Sequence, residues 1–161
     1  MSGAVVDTNV LVVASERTPQ ADAACVLSCI DALVALKAGG PVWVDSDGRI
    51  FEEYRQNLSF SGQPGVGDAF FKWLWDNQFD EDHCRQVAVT SHPVRGFEEF
   101  PEDPALRGFD TADRKFVAVA FASGENPEVL NASDTDWWQF HQELAAHRIR
   151  IRFLCPDLMQ P

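Results

Sequence analysis

Residues 3–14 read GAVVDTNVLVVA, and the order of residue types in that stretch decides the fold. GAVV is a short run of small and β-branched apolar residues, the pattern of a fully buried strand. Asp7, Thr8 and Asn9 follow at once, and any of the three can cap a helix that starts at Val10. A buried strand that delivers an acidic residue straight into an apolar helix belongs to a sheet with helices packed on it.

The alternation continues along the chain. A helix is predicted from about Gln20 to Ala38, with Cys25, Cys29, Leu33 and Leu36 spaced for one face and Gly39, Gly40 and Pro41 ending it. VWV at 42–44 is the second strand, and DSDG at 45–48 leads into the amphipathic run IFEEYRQNL at 50–58. SGQPGVG at 61–67 reads as a loop, after which Asp68 is expected to cap the aromatic helix DAFFKWLWDNQ. QVAVT at 86–90 alternates like a strand, and 91–109 is the longest irregular connection. KFVAVAFA at 115–122 is a buried helix ended by Gly124; EVLNA at 128–132 is a strand, 137–146 a helix, and RIRIRFL at 148–154 a final strand. Strands separated by helices are parallel and joined by crossovers. The expected fold is therefore α/β: a three-layer α/β/α sandwich on a mostly parallel sheet of about five strands. The strand after Ala4 should be central, with the strands ending near Val44 and Ala132 on either side of it.

With 161 residues the chain has the size of one domain, spanning 1–161. Hydrophobic residues make up 45% and charged ones 24%, which excludes wholesale disorder. Thirteen basic against 25 acidic residues leave a net charge of −12, so no general basic surface can hold nucleic acid. No apolar run is long enough for a membrane span, and no basic segment opens the chain as in a signal peptide. The cysteines form no zinc spacing and are expected to be reduced thiols in the cytoplasm.

In open α/β sheets, function concentrates beyond the carboxyl ends of the strands. Asp7 follows the first strand, Asp45 and Asp47 the second, and Asp134 and Asp136 the strand at 128–132. Asp110 and Asp113 precede the buried helix, and Glu52 and Glu53 lie in the helix after the second strand. An Asp after a strand is also a common helix cap, and surplus acid is often solvated surface. Carboxylates crowded into one cleft repel each other, however, and a hard divalent cation with oxygen ligands, Mg²⁺ or Mn²⁺, relieves the repulsion.

Four segments carry a resemblance to a known family. AVVDTNVLVVA at 4–14, IFEEYRQNL at 50–58, DRKFVAVAFASG at 113–124 and VLNASDTDWW at 129–138 resemble, in order, the motifs of the PIN domain. The resemblance covers residues 3 to about 154. It implies Asp7, Glu53, Asp113 and Asp134 as the catalytic carboxylates and ligands of Mg²⁺ or Mn²⁺, with Asp136 as a further acid. Glu53, just before Tyr54, matches the family's helix Glu better than its neighbour Glu52, and one helix position alone can face the cleft. Thr8 and Asn9 would orient Asp7. Ala132 and Ser133 stand where the family often has Thr-Asn, so Ser133 is the residue left to supply a supporting hydroxyl. The implied activity is a metal-dependent ribonuclease, a hydrolase of phosphodiester bonds, with RNA as substrate and DNA as the alternative. Many family members are toxins paired with an antitoxin, which implies a protein partner; monomer and homodimer both stay open. The rival within the resemblance is a PIN-like module that acts only through such a partner.

Other features give weaker signals. Arg148, Arg150 and Arg152 alternate on one strand face and are the candidate phosphate contacts, although charges also protect an edge strand from aggregation. VWVDSDGRI at 42–50 resembles the nucleophile motif of haloacid-dehalogenase phosphatases, which would make Asp45 the nucleophile. GQPGVGD at 62–68 lacks the Lys-Ser/Thr of a P-loop. The tryptophans and phenylalanines at helical spacing read as core, with base stacking as the alternative.

Overall fold

A computed structural model describes residues 3–159. The elements run in the order β1 (Ala4–Val6), α1 (Thr8–Ala14), α2 (Ala23–Gly39), β2 (Val42–Asp45), α3 (Arg49–Asn57), α4 (Val66–Asp76) and β3 (Cys84–Val87). They continue with β4 (Ser91–His92), β5 (Gly96–Phe97), α5 (Arg114–Ser123), β6 (Glu128–Asn131), α6 (Thr135–Ala146) and β7 (Arg150–Phe153). The main sheet has five strands in the order β3-β2-β1-β6-β7, all parallel. Helices α2, α3 and α4 pack against α1, while α5 packs on β1, β2 and β6 and α6 on β7, consistent with the three-layer sandwich expected from the sequence.

The strand order explains where function can sit. The chain leaves β1 in one direction to β2 and β3, then returns past β1 to build β6 and β7 on the other side. The reversal falls between β1 and β6, paired through Ala4–Glu128, Val5–Val129 and Val6–Leu130. In such a sheet a crevice opens at this switch point, beyond the carboxyl ends of the two strands.

Boundaries differ from the sequence reading where tertiary partners decide them. The first helix starts at Thr8 and its cap is Asp7, whose side chain accepts the Asn9 N–H. Pairing with β2 sets the third strand at Cys84–Val87, earlier than 86–90. The connection 91–109 contains a two-residue antiparallel hairpin, β4 with β5, and a turn of 3₁₀ helix at Pro104–Leu106. Asp68 does not cap α4; Gly65 does, and Asp68 sits one turn in. Fully buried, the Asp68 carboxylate accepts the N–H groups of Gly65 and Ser59, both at ordinary hydrogen-bond distance, and pairs with Arg17.

One covalent feature corrects the reading of four free thiols. Cys25 of α2 and Cys155, just after β7, form a disulfide across 130 residues of chain. The sheet carries the end of β7 beneath α2, a proximity that spacing along the chain cannot show. Cys29 and Cys84 are free and buried, and burial pushes both thiols up to about 12. No helix among the described residues is long and apolar enough to cross a membrane.

Helices α1 and α4 touch backbone to backbone at Gly67. A Cβ there would fall inside van der Waals contact with the Leu11 carbonyl. Because α1 begins beside Asp7, this contact backs the crevice. Gly67→Ala is expected to cost about 3 kcal/mol through overpacking, a drop in Tm of roughly 6–12 °C for a chain of this size. A thermal melt within 1 °C or so of wild type would show that the two helices are not in this contact.

Candidate metal centre

The crevice is lined by carboxylates, each delivered by a different local device. Asp7 ends β1: its backbone N–H donates to the Leu130 carbonyl at 3.0 Å, which extends the β1–β6 ladder by one residue and buries the side chain to 4% exposure. Asp134 caps α6 and accepts the Asp136 N–H at 2.9 Å. Asp113 closes a 3₁₀ turn, Thr111–Asp113, that is capped by Asp110 and runs directly into α5. One carboxylate oxygen from each of Asp7, Asp113 and Asp134 lies within 4.8 Å of the other two.

Their electrostatics follow from burial and mutual repulsion. Burial first, then the Asp113 charge, push the Asp7 carboxyl well above the usual carboxylate range. Burial, reinforced by Asp134, Asp110 and Glu53, lifts Asp113 to about 7. Asp134 is raised as well, chiefly by burial. Among the described residues no Lys, Arg or His forms an ion pair with any of the three. Three oxygen donors that crowd together without an internal counter-charge match a hard divalent ion. The residues therefore fit Mg²⁺ or Mn²⁺.

Glu53 stands apart from the trio. Tyr54 is fully buried and donates its hydroxyl to the Val6 carbonyl, which fixes the rotation of α3 against the end of β1. That rotation turns Glu53 toward the crevice and leaves Glu52 in solvent. One Glu53 oxygen accepts from the Thr8 hydroxyl, and the other accepts from Lys115 Nζ at 2.6 Å. Glu53 is thus brought to the site but held by an ammonium. Asp136 is also engaged elsewhere, accepting the Asp110 N–H at 2.9 Å at the lip of the crevice.

The supporting residues are partly those expected. Thr8 orients Glu53 rather than Asp7. Asn9 does orient Asp7, its backbone N–H donating to Asp7 Oδ1 at 3.3 Å, and its own Oδ1 accepts the Ala132 N–H at 3.1 Å, which ties α1 to the end of β6. Ser133 makes no side-chain hydrogen bond among the described residues. The position it was expected to fill belongs to Asn131, the fully buried last residue of β6. Asn131 donates to Asp7 Oδ2 at 3.0 Å and accepts the Asp134 N–H at 2.9 Å, orienting two of the three aspartates at once. The signal for it was present in VLNASD: a polar residue at the buried end of a strand requires a partner.

Three consecutive residues at the start of α5 do different work. Asp113 joins the trio and Lys115 holds Glu53. Between them the buried Arg114 donates to the carbonyls of Arg95, Leu106, Arg107 and Phe109, which fastens the 91–109 connection to α5. A groove of about 670 Å³ opens beside Glu53 and Lys115, walled by Arg49, Gln56, Phe97 and Thr111.

Other candidates fall away from this site. Asp45 is buried, and its two oxygens accept the N–H groups of Arg49 and Ile50 at 2.8 and 2.9 Å; it starts α3 and has no free oxygen aimed at a substrate. Arg150 pairs in register with Glu128, at the start of β6, so Arg148 and Arg150 lie at the opposite end of the sheet from the aspartates. Arg152 stands level with Leu130, and β7 is an edge strand, where such charges block further pairing. Trp137, Phe70 and Phe71 are buried in the core, and Trp138 packs on His141 and Phe153.

No family model, curated protein or solved structure matches this chain.

Proposed function

We propose that this chain is a metal-dependent nuclease of the PIN type that hydrolyses phosphodiester bonds, with RNA as its substrate. The observation that carries this reading is the trio Asp7, Asp113 and Asp134: three carboxylates from distant parts of the chain, converging at the topological switch point with no cationic partner. Within the trio, Asp113 differs most from the structural carboxylates of this same molecule. Asp45 and Asp68 are saturated with N–H donors, whereas Asp113 accepts no hydrogen bond among the described residues.

Asp7, Asp113 and Asp134 would hold Mg²⁺ or Mn²⁺. A divalent ion bound there supplies charge to a phosphodiester oxygen and makes water a stronger nucleophile at neutral pH. The chain's own residues supply orientation. Asn131 fixes Asp7 and Asp134 relative to each other, and the Asp110-capped turn presents Asp113. Arg49 and Lys115 line the groove beside Glu53 together with the acids Asp47 and Glu52.

A mixed pool of single-stranded RNA and DNA, incubated with Mn²⁺ or with EDTA, tests the proposal. Cleavage of RNA is expected with Mn²⁺ only, and Asp134→Asn should lower it at least a hundredfold. Turnover that survives both EDTA and the substitution would overturn the assignment, as would no turnover of either polymer with metal present.

A further inference from the structure

The trio has no internal cation, yet a cation sits at its edge. Lys115 Nζ lies 2.6 Å from Glu53, its side chain only 13% exposed, and it also donates to the Ala112 carbonyl. Its ammonium is further held over the Phe116 ring, 5.2 Å from the centroid. This is a fixed charge in a built position, not a surface lysine.

We infer that Lys115 acts as a resident cation that keeps Glu53 out of the ligand set and limits the centre to one divalent ion. The inference rests on the reading of Asp7, Asp113 and Asp134 as a metal centre, and it adds the stoichiometry and the residue that sets it.

Charge and geometry both lead there. Oxygens within 4.8 Å of one another can close around a single ion. A two-metal centre holds its ions about 3.5–4 Å apart and needs a further outer carboxylate for the second. Glu53 flanks the trio on the α3 side and can supply it, whereas Asp110 and Asp136 already accept the backbone N–H groups of Ala112 and Asp110. In the native chain Glu53 and Lys115 neutralise each other, so the trio alone faces the incoming metal. One divalent ion leaves that set at a single negative charge, and a second would have to displace an ammonium paired at 2.6 Å. With Lys115 made neutral, four carboxylates face two divalent ions and the charges balance. Lys115 is therefore a positioning residue acting through Glu53.

Counting bound Mn²⁺ by electron paramagnetic resonance, with the chelator-stripped full chain at pH 7.5, tests this without any activity assay. Wild type is expected to bind one ion. Lys115→Met and Lys115→Gln, which remove the charge, should each bind two. Lys115→Arg, which keeps it, should bind one, and Lys115→Met combined with Glu53→Gln should return to one. Circular dichroism melts confirm that each variant counted is folded, and the wild-type count stands as a test even if a neutral variant fails to fold. Two ions in wild type, or one in both neutral variants, would overturn the inference and leave the metal centre standing. No Mn²⁺ bound by folded wild type would overturn the inference together with the reading beneath it.

Discussion

Asp7→Asn is expected to abolish the stabilisation of this protein by Mn²⁺. An ion that binds only the folded state adds about 2.7 kcal/mol at a concentration of 100 Kd, a rise in Tm of roughly 5–11 °C for a chain of this size. Asp7 is the most buried of the three aspartates and is tied to both central strands, through its own N–H to Leu130 and through Asn131. Its loss removes a charged oxygen that no neighbour can replace. Asn is nearly isosteric and can still accept the Asn9 N–H, so the fold should persist without added metal. Differential scanning fluorimetry with and without Mn²⁺ measures the effect. A variant that keeps the full Mn²⁺ shift would place the metal elsewhere in the molecule and remove the basis of the nuclease reading.

Metal-free protein should lose stability as pH rises from about 4 through about 7. The sign follows from the aspartates. Asp113 has a folded-state value of about 7 against an ordinary 3.8, and Asp7 and Asp134 are shifted the same way. Between those limits the folded state keeps protons that the unfolded state has released, so unfolding becomes easier as pH climbs. For Asp113 taken alone the decline is on the order of 4 kcal/mol. Asp68 acts in the opposite sense. Burial would raise it, but Arg17 and the Ser59 and Gly65 N–H groups outweigh burial and hold it below the usual range. Its contribution is therefore present above the ordinary carboxylate pKa and disappears only as pH falls through the lower folded value. Stability without metal should thus peak on the acid side of neutrality. Urea unfolding at a series of pH values in EDTA checks this, and Asp113→Asn should flatten the decline because Asp113 accepts no hydrogen bond whose loss would confuse the result. A stability that stays level between pH 4.5 and 8 in wild type would show that neither burial nor mutual repulsion raises these carboxyls.

The order of elements was legible because each depends on local chemistry. GAVV followed by Asp-Thr-Asn signals a buried strand entering a capped helix wherever it occurs, and Asp7 both ends the strand and caps α1. Asp134 caps α6 and Asp113 ends the turn into α5, so strand and helix ends marked all three aspartates. Parallel pairing followed from the alternation of strands and helices, and with it the crevice.

What the sequence could not show are relations between residues that no spacing links. Glu53 reads as a ligand along α3, but the ammonium that holds it comes from Lys115, 62 residues later, and their meeting depends on α3 and α5 sharing the crevice. Arg114 has no role that its neighbours in sequence reveal, and only the fold surrounds it with the carbonyls of the 91–109 connection. The Cys25–Cys155 bond joins residues 130 apart because the sheet carries the end of β7 under α2. Hydrophobic periodicity and capping act over one or two turns of chain, so they determine which element each acid begins or ends. Which charge an acid meets is decided by burial, which strips away water and leaves the nearest fixed partner from any part of the chain to set its state.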